Sequence, residues 1–257
     1  MSSLPRAFSG QKAFMPFITG GDPDLETTER LLYALRDAGA GAIEIGVPFS
    51  DPIAEGPVIE AASARALLGG CTPAKLFDLA ARVGRNLDIP LLFMTYYNPV
   101  LACGPQAFAE RAAAAGLAGL IVPDLPFEER DELLEPCGKC GLDLISLISP
   151  TSDERIADIA RRSTGFLYCV SSLGVTGQRR ELGDDARRMI GLAREVSRIP
   201  CAVGFGISTP EQARAMAEFA DGVIVGSAIV SQIAAHGRAC VPPVAQFARS
   251  LKQAMEG

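Results

Sequence analysis

Residues 42–48, with the sequence AIEIGVP, carry the clearest indication of the fold. The segment is too short to form a helix by itself, and its branched apolar residues followed by a proline are typical of a buried β-strand. Side chains alternate across a strand, so Ile43 and Ile45 share one face and Glu44 points to the other. If the isoleucine face packs against a layer of helices, Glu44 projects into the interior of the sheet structure.

Segments like this one recur along the whole chain and are bounded by Gly, Pro or Asp. The strand candidates are 13–18, 42–47, 90–95, 119–122, 142–148, 166–170, 201–205 and 222–225. Between them lie helix-length stretches at 24–38, 105–115, 128–140, 153–162, 184–197, 210–219 and 241–255. Eight strands alternating with about eight helices predict a single-domain α/β fold, a (β/α)8 TIM barrel with a short extra helix after strand 8. A doubly wound open sheet is the alternative.

Composition and length narrow the class of protein further. A chain of 257 residues has the usual size of such a barrel, and without an internal linker we expect one domain over residues 1–257. The net charge of −6 and the lack of a basic stripe argue against nucleic-acid binding. No apolar run reaches ~18 residues and no signal peptide is recognisable, so we expect a cytoplasmic protein without a membrane span.

The cysteines and the single histidine limit the possible chemistry. The seven cysteines are scattered, so we expect reduced thiols and no metal site. Only one histidine, His236, is present, near the end of a helix-like segment, which makes a Ser-His-Asp or Cys-His mechanism unfavourable.

Glu44 is the first candidate for catalysis. A carboxylate buried without partners tends to become neutral, which raises its pKa. Catalytic groups of these barrels lie at the carboxyl ends of the strands, so Glu44 is a candidate general acid and base. A structural salt bridge at the end of the strand is the alternative. In the proline-rich loop that follows, Asp51 and Glu55 are candidates for contacting substrate or a partner, or are simply solvated acids.

Glycine clusters follow the last three strand candidates. They lie at 174–177, 204–208 and 226–227, and the last two precede helical segments. Glycines allow backbone N–H groups to approach an anion, and a helix N-terminus adds partial positive charge. Each cluster alone is explained by a turn or a helix cap, but their common placement predicts a phosphate site.

The motifs at 17–23, 43–52, 174–177 and 204–208 together resemble the tryptophan synthase alpha chain family, and the similarity runs from about residue 10 to the C-terminus. The resemblance implies cleavage of indole-3-glycerol phosphate into indole and glyceraldehyde 3-phosphate by a retro-aldol reaction. It implies that Glu44 is the catalytic glutamate and that Tyr168 lies near the reacting centre. Glu55 occupies the second catalytic position, where the family pattern has aspartate.

The same resemblance assigns the remaining site residues. The phosphate would meet Gly177, Gly206, Gly226 and Ser227. Phe17, Ile148 and Phe205 would line an apolar indole pocket with Thr19 and Asp124 nearby, and Thr176 would belong to a closing lid.

Finally, the resemblance implies a partner protein. The family's alpha chain docks on a beta chain that holds pyridoxal phosphate, in an alpha2-beta2 heterotetramer, and this chain itself needs no cofactor or metal. Asp51, Tyr97, Asn98 and Pro99 lie where the contact would form. Two alternatives stay open from the sequence, a free-standing lyase and a catalytically impaired barrel that mainly activates a beta chain.

Overall fold

The computed structural model describes residues 4–170, 179–204 and 206–257, and for residues 179–183 it describes the backbone only. Eight parallel strands close into a barrel in which each strand pairs with its neighbours in chain order and β8 pairs with β1. The predicted barrel is therefore confirmed, and the open sheet is not. The strands are β1 Ala13–Thr19, β2 Ile43–Gly46, β3 Leu91–Met94, β4 Gly119–Ile121, β5 Asp143–Ile148, β6 Leu167–Val170, β7 Cys201–Gly204 and β8 Gly222–Val225.

The helices surround this barrel. In the described ranges they are α1 Leu25–Asp37, α2 Pro57–Leu68, α3 Pro73–Gly84, α4 Tyr97–Cys103, α5 Pro105–Ala114, α6 Asp131–Lys139, α7 Asp153–Arg162, α8 Arg179–Val196, α9 Pro210–Ala217, α10 Ser227–His236 and α11 Val241–Glu256. Short 3-10 helices span Leu4–Phe8 and Gly237–Ala239. The short helix expected after strand 8 is α10, and His236 is its last residue, as predicted.

Three helices, α2, α3 and α4, were not among the expected segments. α3 begins with Thr72 and Pro73, and the Thr72 side chain accepts a hydrogen bond from the Lys75 N–H. The expected helix at 210–219 begins in the same way, with Thr209 before a proline, so the sequence contained the signal for α3. α2 carries no side-chain cap at Gly56, and its boundary is less visible in the sequence.

The alternation of side chains divides the core into two layers, as the sequence predicts. Ile43 and Ile45 of β2 belong to the cluster between the strands and the helices. A separate interior cluster contains Met15, Leu92 and Tyr168, whose strands lie around the barrel. The carboxyl ends of all eight strands meet at one end of the barrel, which brings the loops after β2, β3, β7 and β8 together.

Among the described residues, no helix combines the length and the apolar character needed to cross a membrane. All seven cysteines carry free thiols.

Candidate active site

Glu44 lies inside the barrel. It pairs in register with Phe17 of β1 and Leu92 of β3. Its side chain is 0% exposed, and neither carboxylate oxygen has a hydrogen-bond partner in the part of the chain that the structure describes. Burial raises the pKa of Glu44 to about 8, so the carboxyl is protonated at neutral pH. A neutral carboxyl inside an apolar enclosure can donate a proton and then take one back, as a general acid and base does.

Tyr168 shares the barrel interior with Glu44. Its side chain lies in the interior cluster together with Phe166 and partly buried Val170, so the three residues share one face of this segment. Burial, and to a lesser degree the charge of Glu44, raises the pKa of Tyr168 well above its ordinary value. A Cβ atom at Gly204 would lie 2.6 Å from the Tyr168 hydroxyl oxygen, so the glycine leaves the room that this hydroxyl occupies.

Thr19 adds a further polar group at the end of β1. Its side chain is buried, and the Oγ1 atom has no hydrogen-bond partner among the described residues. Buried hydroxyl groups are normally hydrogen-bonded, so an unpartnered one beside the barrel mouth is a natural contact for a bound molecule.

Glu55 lies in the loop between β2 and α2. Burial, followed by repulsion from Glu60, raises the pKa of Glu55 to about 7. The loop is attached to the barrel one residue earlier, because the Ala54 N–H donates a hydrogen bond of 2.9 Å to the Tyr96 hydroxyl. The Tyr96 ring also lies 5.2 Å from the Phe49 ring between centroids. Tyr96 therefore holds the loop that carries Glu55, a role that the sequence did not indicate.

Two apolar residues expected around the substrate, Phe17 and Ile148, lie in different layers of the structure. Phe17 is buried, and its ring occupies the space beside Gly46 and Gly226, where a Cβ at Gly46 would lie 2.5 Å from the ring. Ile148 packs with Ile156 and Ile159 of α7 in the cluster between the strands and the helices. The structure thus puts Phe17 at the barrel mouth and Ile148 against α7, and the pocket role of Ile148 stays a prediction.

Asp124, after β4, forms hydrogen bonds with the backbone at the start of α4. Its carboxylate accepts hydrogen bonds from the Tyr97 N–H at 2.9 and 3.1 Å. Burial raises the pKa of Asp124, and these hydrogen bonds counteract that effect in part. In this arrangement Asp124 fixes the start of α4, next to the region predicted for substrate.

The residues predicted for phosphate lie at neighbouring strand ends. Gly226 precedes α10, and Ser227 is the exposed first residue of that helix. Gly206 follows β7 with a positive φ of 73° and is exposed. The first turn of α10 provides the N–H groups and partial positive charge that favour an anion. Gly177, Thr176 and Phe205 lie outside the described residues.

The residues predicted for the partner contact lie at the same end of the barrel. Asp51 is exposed and accepts a hydrogen bond from the Ser50 hydroxyl. Tyr97, Asn98 and Pro99 form the first turn of α4, and the Tyr97 hydroxyl donates to Glu132 at 2.8 Å. Two apolar side chains in the same segments, Ile53 (80% exposed) and Leu101 (50% exposed), were not singled out from the sequence.

Within the described ranges, no group of three or more His, Cys, Asp or Glu side chains is arranged to hold a metal ion.

Comparison with known proteins agrees with this geometry over nearly the whole chain. Residues 6–256 match the family model described as "Tryptophan synthase alpha chain". Among curated relatives, the alpha chain of Gloeobacter violaceus is 51% identical over 247 residues, covering 95% of this chain and 90% of the relative. That of Lacticaseibacillus casei is 43% identical over 256 residues, covering 100% and 96%.

Solved structures give the same result. Tryptophan synthase subunit alpha from Legionella pneumophila superposes with a TM-score of 0.90 at 36% identity, over 100% of this chain and 99% of the other. A chain of the tryptophan synthase complex from Pyrococcus furiosus gives a TM-score of 0.84 at 35% identity, over 94% and 98%.

Proposed function

The chain belongs to the tryptophan synthase alpha chain family, and from that premise we propose how its residues cleave indole-3-glycerol phosphate. The protein is a carbon-carbon lyase of tryptophan biosynthesis, acting as an alpha subunit. Family membership favours this role over a free-standing lyase. In the proposal residues 1–257 form one catalytic domain. The observation that carries the proposal is the carboxyl of Glu44, which is buried inside the barrel and has no hydrogen-bond partner in the described ranges.

Glu44 moves the protons in this proposal. Its neutral carboxyl donates a proton to carbon 3 of the indole ring, and the resulting carboxylate accepts the proton of the side-chain hydroxyl. The carbon–carbon bond between the ring and the side chain then breaks, its electron pair returns to the protonated ring, and the hydroxyl carbon becomes the aldehyde of glyceraldehyde 3-phosphate. Glu44 ends protonated again, so the cycle is balanced. The pKa of about 8 supports this role, because the acid form predominates at neutral pH.

Glu55 and Tyr168 assist this step. We assign Glu55 to the indole N–H, where a carboxylate stabilises the positive charge that develops on the ring. With a pKa of about 7, Glu55 is partly ionised at neutral pH. Tyr168 is assigned to the wall of the reacting centre, because its side chain shares the interior with Glu44 and its pKa responds to that charge.

The other end of the substrate is assigned to the loops after β6, β7 and β8. The phosphate would bind at Gly206, Gly226 and Ser227 with Gly177, because the first turn of α10 offers N–H groups there. Phe17 and Thr19 support an indole pocket by their burial at the end of β1. The proposal also keeps Asp124, Ile148 and Phe205 for this pocket and Thr176 for a lid over it.

Membership in the family implies a beta-chain partner. We propose that the assembly is an alpha2-beta2 heterotetramer in the cytoplasm and that pyridoxal phosphate belongs to the beta chain, with no cofactor in this one. Asp51, Tyr97, Asn98 and Pro99 are proposed as contacts, because they lie at the active-site end of the barrel.

The assignment of Glu44 is tested by Glu44→Gln, which removes the exchangeable acid while keeping the shape of the side chain. We expect kcat for indole release to fall by at least about 1000-fold, since general acid–base catalysis contributes up to ~10⁴. Binding of glyceraldehyde 3-phosphate, measured by calorimetry, should change little. Glu195→Gln, at an exposed position of α8, is the matched control. Near-native turnover of Glu44→Gln would refute the assignment.

A further inference from the structure

A second polar centre lies at the ends of β4 and β5, away from the proposed phosphate site at β7 and β8. Arg130, directly before α6, is only 5% exposed. Its Nη1 atom donates to the Ser146 hydroxyl at 2.9 Å and its Nη2 atom to the Arg162 carbonyl oxygen at 2.7 Å. The Nε atom is buried and has no hydrogen-bond partner within residues 4–170, 179–204 and 206–257.

The positive charge of Arg130 is incompletely compensated. No carboxylate of the described residues forms an ion pair with it, and Asp131 and Asp158 act only from a greater distance. Burial, and then the charge of Arg162, lowers the pKa of Arg130. Both guanidinium groups lie over the Phe127 ring, with 3.9 Å from Arg130 Cζ to the ring centroid and 5.0 Å from Arg162. Two cations thus share one aromatic ring, and a buried cation without an anion is costly to the fold.

A cavity adjoins this arginine at the ends of β4 and β5. It measures about 210 Å³, which is ample for a phosphate group or a small carboxylate. Its lining combines hydroxyl and guanidinium donors with apolar residues, and the polar members are Arg130, Ser146, Ser149, Thr151 and Arg155. Arg155 pairs with Glu128, so Arg130 is the cation of the cavity without an ionic partner.

We propose that this cavity binds a small oxyanion, a phosphate or carboxylate group, with Arg130 as its anchor and the hydroxyl groups of Ser149 and Thr151 as further donors. The site is separate from the proposed phosphate site of the substrate, because β6 lies between these strands and β7 and the residues that line the cavity all belong to the segment 122–159. A bound oxyanion supplies the negative charge that Arg130 lacks, and the guanidinium keeps further N–H groups beyond those donated to Ser146 and the Arg162 carbonyl oxygen.

Such binding would act on a loop that the active site also uses. Residues 122–130 connect β4 to α6 and contain Asp124, which holds the first turn of α4 through Tyr97. An anion at Arg130 would therefore stabilise the same loop that supports the proposed partner contact.

The experiment observes Arg130 directly. In the full chain labelled with ¹⁵N and ¹³C, the Arg130 Nε–H resonance is assigned by through-bond correlation to the Arg130 backbone and followed during titration. Sodium phosphate and sodium acetate are titrated separately, with sodium chloride holding ionic strength constant. We expect a saturable shift in the millimolar range, the affinity of a few charge-assisted hydrogen bonds. A shift with phosphate only, with acetate only or with both supports the site and identifies its chemistry.

The double variant Ser149→Ala/Thr151→Ala tests the location of the anion while keeping the contacts of Arg130 to Ser146 and Arg162. We expect binding to weaken at least about threefold, as for the loss of hydrogen bonds to a charged group. Ser250→Ala, on α11, is the matched control. The proposal is overturned if neither anion gives a saturable shift up to about 50 mM, a limit that covers weak specific binding. Unchanged affinity in the double variant would also overturn it.

Discussion

At the scale of single residues, Glu44 shows how catalysis and stability oppose each other. Its carboxyl is enclosed by the barrel without a partner, so ionisation is costly in the folded protein and easy in the unfolded chain. Between its ordinary pKa of 4.5 and the value of about 8, the folded state therefore binds more protons than the unfolded state. A proton-binding excess in the folded state means that stability falls as pH rises through this window.

This opposition predicts the effect of Glu44→Gln on stability. In the wild type, the titration of Glu44 lowers the free energy of unfolding by about 1.4 kcal/mol per pH unit within this window. The variant loses this pH dependence, because glutamine does not titrate. The free energy of unfolding of the variant minus that of the wild type should increase by roughly 2 kcal/mol from pH 5.5 to 7.0. Urea denaturation at these pH values measures it. With Glu195→Gln as control the difference should stay constant, and a pH-independent difference for Glu44→Gln would contradict the raised pKa.

The pH dependence of the reaction follows from two carboxyls with opposite requirements. Glu44 must be protonated, which holds below about 8, and Glu55 must be ionised, which holds above about 7. We expect a narrow bell-shaped profile of kcat/KM for indole release, with its maximum between these two values.

The acidic limb of that profile is adjustable through Glu60, an exposed residue of α2. Its negative charge contributes to the raised pKa of Glu55, so Glu60→Gln should move the acidic limb to lower pH. A shift of about 0.3 pH units corresponds to about twofold higher kcat/KM at pH 6. The basic limb, which belongs to Glu44, should not move. A profile identical to that of the wild type would show that Glu60 does not act on the titrating group.

At the scale of elements, the β1–α1 loop is joined to α2 by an ion pair. Asp22 is 1% exposed, and its carboxylate accepts two hydrogen bonds of 2.8 Å from Arg65 of α2. Two parallel bonds from one guanidinium fix both distance and orientation. The pair thus holds α2 beside the end of β1, and α2 begins directly after the loop of Glu55.

Asp22→Asn should therefore destabilise the protein, because one oxygen acceptor and the negative charge are lost at a buried position. We expect the free energy of unfolding to decrease by roughly 1–3 kcal/mol, the range for a buried charge-assisted hydrogen bond. The control is Asp37→Asn in the exposed pair with Arg36, for which less than about 0.5 kcal/mol is expected. Urea denaturation measures both. Equal losses in the two variants would contradict a special role for the buried pair.

At the scale of the whole molecule, apolar side chains are exposed beside the active-site end of the barrel. Ile53 follows β2 and Leu101 lies in α4, next to the residues proposed for the beta-chain contact. Exposed apolar side chains grouped with polar neighbours are typical of protein–protein contacts. We therefore expect Leu101 to be covered when the beta chain binds.

Leu101→Asp tests this expectation. The substitution should leave indole release by the isolated chain unchanged and weaken binding of a beta chain at least about tenfold, because a charge would be buried in the contact. Calorimetric titration with the beta chain measures the affinity. Leu68→Asp, at the end of α2 and 89% exposed against 50% for Leu101, should leave the affinity unchanged. Similar effects of both substitutions would contradict the proposed location.

Much of the architecture followed from local pattern. Alternation in β2 put Ile43 and Ile45 on one face and Glu44 on the other, since neighbouring residues of a strand point to opposite faces, and the isoleucine face was expected to meet the helices. The repetition of strand and helix gave the barrel, because parallel strands need crossover connections. The missed helix α3 had a visible cap at Thr72, whereas α2 has no side-chain cap and is marked in the sequence only by the proline at its start.

The sequence by itself determined the order of the elements, the face on which each strand residue lies and the identity of the acid in the barrel. Only the tertiary structure decided how far the pKa values of Glu44 and Glu55 are raised, because burial and the proximity of Glu60 depend on which segments meet. It also decided that Asp124 contacts the Tyr97 N–H, that Ile148 packs against α7 and that Arg130 is buried without an ionic partner. These properties arise from contacts between segments distant in the chain, and a local pattern carries no information about such contacts.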